Sequence, residues 1–110
     1  MPTKEALLGL VDKIKADPSG IEGINSTYQF DVSGKEEASY QLKFENGQIE
    51  FSEDDQFESQ CTLKLSSENF LKLASGNLNP QLAFMMGQIK VEGDLLLAMK
   101  LTPVLKSVRG

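Results

Sequence analysis

The sequence of 110 residues contains no histidine and a single cysteine. Without histidine it lacks the usual general base at neutral pH and the commonest metal ligand. One cysteine and no histidine leave neither a zinc site nor a Cys–His pair, and no internal disulfide is available. No glycine-rich phosphate loop of a common pattern is present. We therefore expect no enzyme activity, no metal and no cofactor.

Charge and hydropathy exclude further classes of protein. The chain carries 16 acidic against 11 basic residues, a net charge of -5, which argues against nucleic acid as a partner. No apolar run approaches the roughly 20 residues of a membrane span. The opening segment MPTKEALLGL contains a glutamate and no long apolar run, so it does not resemble a signal peptide. Length and an ordinary hydrophobic content of 40% predict one domain over residues 1–110.

The first half of the chain predicts one helix and three strands. Helical spacing in KEALLGLVDKIKAD indicates an amphipathic helix, with Thr3 as its cap and Pro18 ending it. Strict alternation in TYQFDV, SYQLKFE and QIEF predicts three strands, the last two joined by an Asn46-Gly47 hairpin turn. Because their outward positions are polar, we expect the sheet to be covered on one side only.

The second half adds two strands and three helices. CTLKL and QIKVE are the predicted strands, and the phase of CTLKL makes Cys61 a core residue rather than a nucleophile. SSENFLKLASG predicts a short helix capped by Ser66 or Ser67, with Phe70, Leu71 and Leu73 buried. Asn79-Pro80 and Asp94 open two further helices. The order of elements predicts a two-layer α+β fold.

The last two helices have more apolar surface than one sheet can cover. The final helix carries Leu95, Leu96, Leu97 and Met99 on several sides, and LAFMMG before it is five apolar residues and a glycine. An ordinary core, a protein interface, a membrane surface and an internal lipid would each account for this excess. Flexible methionine side chains favour a surface that adapts to varied apolar shapes.

The block from Cys61 to Leu101 resembles the sterol carrier protein 2 family. The shared pattern is F-x-x-L-x-x-G-x-x-N-P-x-x-A-F-x-x-G-x-x-K-x-x-G-D-x-x-x-A-x-K-L, a specific spacing over about 30 residues. The residues that match it are Phe70, Leu73, Gly76, Asn79, Pro80, Ala83, Phe84, Gly87, Lys90, Gly93, Asp94, Ala98, Lys100 and Leu101. The first half of the chain is similar to the family in the order and length of its elements, and only weakly in sequence.

This resemblance implies a five-stranded mixed sheet with helices on one face and an apolar tunnel between the two layers. The implied ligand is a fatty acid, a fatty acyl-CoA or a sterol. SEDDQFES would be a crossover whose Phe57 forms a lid on the tunnel. The residues that we expect to line the ligand site are Phe57, Leu82, Phe84, Met85, Met86, Ile89, Leu95, Leu96, Met99, Leu101, Val104 and Leu105.

The sequence thus predicts a non-enzymatic lipid carrier. Residues 1–59 hold 5 lysines and 13 acidic residues, whereas residues 60–110 hold 6 basic and 3 acidic residues. The basic half is suited to an anionic head group or to transient contact with a membrane. We expect a monomer or a weak dimer. The alternative is an accessory domain whose apolar patch mediates dimerisation or docking to a lipid-metabolising enzyme.

The carboxyl end supplies two more expectations. Because proline interrupts a helix, Thr102-Pro103 predicts a break, with PVLKSVRG as a hinged flap that gates the tunnel and touches membranes. Many eukaryotic members of the family end in a peroxisomal S-K-L-type signal, and this chain ends in SVRG. We therefore expect a cytoplasmic location.

Overall fold

The fold is an open five-stranded mixed sheet with helices on one face. A computed structural model describes residues 2–109, without the side chains of Val108 and Arg109. The elements in chain order are α1 Thr3–Ala16, a 3-10 helix Pro18–Ile21, β1 Ser26–Ser33, β2 Ala38–Glu45, β3 Gln48–Ser52, β4 Cys61–Ser66, α2 Ser67–Ala74, α3 Pro80–Met85, β5 Ile89–Gly93 and α4 Leu95–Arg109.

The strands lie in the order β3-β2-β1-β4-β5. The meander β1–β2–β3 is antiparallel, β4 runs parallel to β1, and β5 returns antiparallel to β4. The turn between β2 and β3 has positive φ at both Asn46 and Gly47, 53° and 76°. That geometry is typical of the tight hairpin turn predicted for this pair of residues. The five strands and the mixed sheet are confirmed.

The core fills the space between the helices and the sheet. Alternate residues of the meander point into it, and the buried faces of all four α-helices meet them. The rings of Tyr28 and Phe44 pack edge to face at 5.5 Å, and those of Phe30 and Phe70 do so at 5.6 Å. Aromatic pairs of this geometry add to the stability that burial alone provides.

The amino end of α1 differs from the prediction. Pro2 occupies the cap position and makes no side-chain capping bond, while Thr3 is the first helical residue. The Thr3 hydroxyl donates to the Glu36 carboxylate and accepts from the Tyr40 hydroxyl, 2.7 Å away. Thr3 therefore joins the start of α1 to the β1–β2 hairpin, because its side chain finds its partners in the sheet and not in its own helix.

The outer face of the sheet is partly covered, which corrects the expectation of a single covered face. The connection from β3 to β4 crosses that face, and Gln41 on β2 fixes it there. The Gln41 amide nitrogen donates to the Phe57 carbonyl at 2.8 Å, and its carbonyl accepts from the backbone amides of Gln56 and Phe57. Gln41 is consequently only 2% exposed. The burial of a polar side chain at an outward position thus shows that this part of the outer face is covered.

The short helices begin at the predicted caps. The Ser66 hydroxyl accepts from the Asn69 amide, and the Asn79 side chain accepts from the first amides of α3. These bonds satisfy backbone donors that a helix start leaves free. Phe70 is fully buried, whereas Leu71, predicted to be buried, is half-buried.

The carboxyl-terminal flap is not present as a separate segment. α4 continues through Pro103 to Arg109 as one helix, and Val104 and Leu105 are buried in the core. Pro103 cannot donate to the carbonyl four residues earlier, but the packing of its neighbours on the core offsets that lost bond. The parts of the expected flap that involve the side chains of Val108 and Arg109, and Gly110, lie outside the described residues. Within the described part of the chain, no helix is both long and apolar enough to cross a membrane.

Candidate functional site

Four of the predicted site residues are buried where α4 and β5 close the core. Leu101, Val104 and Leu105 form one wall of a small apolar cavity between the layers. Ile89 on β5 is buried in the same core, and the half-buried side chain of Met99 packs against that core. The structure thus brings these five residues to the core between the sheet and the helices.

The cavity is lined by apolar side chains throughout and is small. Its volume is about 20 Å³, which is room for roughly one water molecule. The prediction missed most of its wall, which comes from α1, α2 and the inward face of the meander. Those residues carry only the ordinary signal of core periodicity, which does not distinguish a cavity wall from a packed core. They are Leu7, Leu10, Ile14, Phe30, Leu42, Phe44, Phe70, Leu73 and Ala74.

Six other predicted residues form an exposed apolar surface, which we call the α3–α4 patch. α3 packs against α4, and the patch comprises apolar side chains of α3 and its cap together with the first two residues of α4. Met85, Met86 and Leu96 are each more than 70% exposed. The patch consists of Leu82, Phe84, Met85, Met86, Leu95 and Leu96.

Local sequence explains why these side chains point outward. Ala83 is buried and fixes the inner side of α3, so its neighbours face solvent. The chain leaves α3 through Gly87 at a φ of +75°, a conformation that glycine adopts without strain. Asp94 then starts α4 by accepting from the Leu96 amide at 2.9 Å, and Leu97 is the first core residue of that helix.

Phe57 is not placed to cover the cavity, which corrects its expected role as a lid. Its connection crosses the outer face of the sheet, where the Lys43 ammonium lies 4.9 Å from the centre of the ring. The sheet therefore separates Phe57 from the helices. A depression of about 550 Å³ lies beside this ring, but it is open and largely polar, so it is not suited to an acyl chain.

Polar groups near the core are few. The Tyr28 hydroxyl donates to the Leu97 carbonyl at 2.6 Å and so joins β1 to α4. Burial raises the pKa of this hydroxyl, so it remains a donor at any physiological pH. The Thr102 hydroxyl is buried in α4 without a hydrogen-bond partner among the described residues.

The structure offers little for covalent or metal chemistry. Burial raises the pKa of the Cys61 thiol to about 11, so it is hardly ionised near neutral pH and behaves as the predicted core residue. Within residues 2–109, no cluster of three or more His, Cys, Asp or Glu side chains could hold a metal ion.

Fold and site together define a two-layer α+β protein with an apolar interior under its helices and an exposed apolar patch. The sequence profile of the SCP-2 sterol transfer family matches residues 5–106. Because that match covers nearly all of the sequence, the chain belongs to this family. The resemblance seen in the second half of the sequence is thereby confirmed.

Individual relatives agree with this assignment. The chain is 30% identical over 92 residues to hydroxysteroid dehydrogenase-like protein 2 of Bos taurus, covering 82% of this chain and 22% of the relative. It therefore spans about a fifth of that protein's length. A solution structure of the sterol carrier protein domain 2 of Helicoverpa armigera is 30% identical, with a TM-score of 0.79 over 96% of this chain and 87% of that one.

A more distant structure shares the fold. The palmitated SCP2L2 of Aedes aegypti is 19% identical to the chain, with a TM-score of 0.74 over 96% of this chain and 95% of that one. At this identity the likeness establishes the common architecture alone. The two-layer arrangement and the mixed sheet are thus those of the family.

Proposed function

We propose that this protein is a non-enzymatic lipid carrier that holds an acyl chain or a sterol between the sheet and the helices. The observation that carries the proposal is a small cavity lined only by apolar side chains, beneath the helices of this family's fold. Apolar pockets with few polar groups are typical of lipid sites. The palmitated state of the Aedes aegypti relative supports a fatty acid as one ligand class.

Binding requires the helical layer to move away from the sheet. A cavity of about 20 Å³ does not hold an acyl chain, so the ligand must displace part of its wall. α4 supplies Leu101, Val104 and Leu105 to that wall, and its Pro103 interrupts the helical hydrogen bonding beside them. We infer that α4 shifts outward as the lipid enters and returns when it leaves.

The energetics favour such an exchange. Burying about ten methylenes contributes roughly 8 kcal/mol, at about 0.8 kcal/mol each, before the costs of association and of opening the core are subtracted. Selectivity among chains of similar length should be weak, since an apolar wall distinguishes poorly between them. A carrier of this kind needs no catalytic group. We also propose the cytoplasm as its location.

Native mass spectrometry after mild purification tests whether a lipid is carried. We expect a fraction of the protein to retain a fatty acid or sterol of discrete mass. A clean dimer without lipid would instead support the alternative of an interaction domain, which the exposed α3–α4 patch also suits. Lipid-free monomer that also fails to bind added palmitate would remove the carrier proposal.

A matched pair of variants locates the bound lipid. Ala74→Leu adds three carbons to the cavity wall, where overpacking costs about 1–3 kcal/mol, so the fold should survive. We expect its affinity for a fluorescent fatty acid to fall by about tenfold or more, because that volume is then lost to the ligand. Met86→Ser changes an exposed patch residue and should leave the affinity unchanged. Equal affinities in both variants would place the lipid outside the cavity.

A further inference from the structure

We propose that the α3–α4 patch docks onto the surface of an anionic membrane, from which the carrier takes its lipid and to which it returns it. This inference rests on the proposed function and assigns the surface through which it works. Docking would bring the open face of α3 and the first turn of α4 against the head groups and the outer acyl chains. The expected membrane contact thus belongs to this patch and not to a carboxyl-terminal flap.

The composition of the patch favours a lipid surface. Its side chains are long, apolar and exposed, and the two methionines adapt to an irregular apolar surface. Contiguous apolar surface of this kind marks protein or membrane interaction sites. The patch lies on the six-residue helix α3 with its cap and on the first turn of α4, and its exposed side chains are able to insert shallowly.

The charges around the patch are complementary to anionic lipids. No acidic residue occurs in 69–91 or in 95–110. The two carboxylates that lie between those ranges are occupied: Glu92 pairs with Lys64 at 2.8 Å, and Asp94 caps α4. Lys100 lies one helical turn after Leu96 on the exposed side of α4 and forms no ion pair within the described part of the chain. A lysine next to an apolar insertion point contributes about 1 kcal/mol near an anionic surface.

The distribution of charge over the whole chain orients the molecule. Residues 1–59 carry 13 acidic residues against 5 lysines, and residues 60–110 carry 3 against 6 basic residues. An anionic surface therefore repels the half that holds α1 and the meander and attracts the half that holds the patch. The docked orientation follows from this asymmetry, with the patch facing the bilayer.

The same charges disfavour a second copy of the chain as the occupant. A two-fold dimer built on the patch would place the same surface against itself. Lys100 would then approach its own equivalent, without acidic residues from 95–110 to compensate. Like charges brought together in an interface oppose association, whereas the phosphate head groups of a membrane would attract the lysine.

Docking also has a direct structural connection to the ligand. Leu95 and Leu96 belong to the same helix as Leu101, Val104 and Leu105, which form the cavity wall. Insertion of the first turn of α4 among acyl chains therefore acts on the element that must move for the lipid to enter. Membrane contact and opening are coupled through one helix.

The test compares vesicles of phosphatidylcholine with vesicles that also contain phosphatidylserine. The double variant Met85→Ser with Met86→Ser changes two exposed residues and should fold normally. We expect it to lose about tenfold or more in co-sedimentation with anionic vesicles and to transfer a fluorescent fatty acid between vesicles correspondingly more slowly. Its affinity for the same fatty acid in solution should be unchanged.

Charge reversal supplies the matched control. Lys100→Glu should weaken the preference for anionic vesicles, whereas Lys13→Glu, an exposed change of equal charge on α1, should not. Equal vesicle binding by the wild type and the methionine variant would overturn the docking proposal. So would loss of a dimer in that variant without any effect on vesicles, which would make the patch a protein interface. Loss of solution affinity for the fatty acid with vesicle binding retained would instead count against the proposed carrier site.

Discussion

The buried hydroxyl of Thr102 leads to the sharpest prediction for stability. Its oxygen is inaccessible to solvent and has no hydrogen-bond partner among the described residues. A buried polar group without a partner costs about 1–3 kcal/mol, because it loses its bonds to water and gains none in the protein. Thr102→Val replaces that hydroxyl with a methyl group of similar size. Valine and threonine have nearly the same helix propensity, so α4 itself should not be affected.

We therefore expect Thr102→Val to stabilise the protein by about 1–3 kcal/mol. In a domain of about this size, each kcal/mol raises the melting temperature by about 4–8 °C. Urea unfolding followed by circular dichroism measures the change directly. An unchanged dependence of the free energy of unfolding on urea concentration would show that the gain lies in the folded state.

The matched control is the same substitution at Thr3. The Thr3 hydroxyl is bonded to both Glu36 and Tyr40, and Tyr40 is buried. Thr3→Val leaves the Tyr40 hydroxyl without that partner and should destabilise the protein by about 1 kcal/mol or more. If Thr102→Val destabilises the protein to the same extent, the Thr102 hydroxyl has a partner, such as a buried water molecule. The reasoning would then be refuted.

Three further predictions concern other contacts. Tyr28→Phe removes the bond to the Leu97 carbonyl, so it should cost about 1 kcal/mol in urea unfolding and speed fatty acid exchange by loosening α4. Gly93→Ala should destabilise by more than 1 kcal/mol, since a Cβ there would lie 2.5 Å from the Gln60 carbonyl oxygen at a φ of +90°. Hydrogen bonds from the hydroxyl and the amide of Thr3 lower the pKa of Glu36. The stability that the Glu36 carboxylate contributes is therefore present above the ordinary glutamate pKa and is lost as the pH falls through the lower folded-state value. Glu36→Gln should reduce the dependence of the free energy of unfolding on pH in that acidic range.

Local signals in the sequence predicted most of the fold. The caps at Ser66, Asn79 and Asp94 are confirmed because each depends on a side chain and the backbone amides within three residues of it. The Asn46-Gly47 turn is local in the same sense. Strand alternation identified the inward side chains, since burial of one face imposes a period of two.

The failures share a different cause. Thr3 does not cap α1, because its side chain bonds to Glu36 and Tyr40, which are more than 30 residues away in sequence. The side of the sheet on which Phe57 lies depends on the Gln41 hydrogen bonds, which no periodicity in the connection reveals. Pro103 indicated a break, but the burial of its neighbours keeps the helix continuous. In each case a tertiary contact overrides a local preference.

The apolar excess of α4 shows which part of the candidate site could be predicted from the sequence. A helix that packs on a sheet needs one apolar stripe, and α4 has two. The inner stripe, with Leu101 and Leu105, closes the core, and the outer first turn, with Leu95 and Leu96, remains exposed. Periodicity counted both stripes but could not assign them, so residues of the cavity wall and of the patch were predicted together as one ligand site. Their separation has a consequence for the proposed mechanism, because substitutions on the inner stripe should act on the affinity for lipid and those on the outer turn on the rate of its transfer.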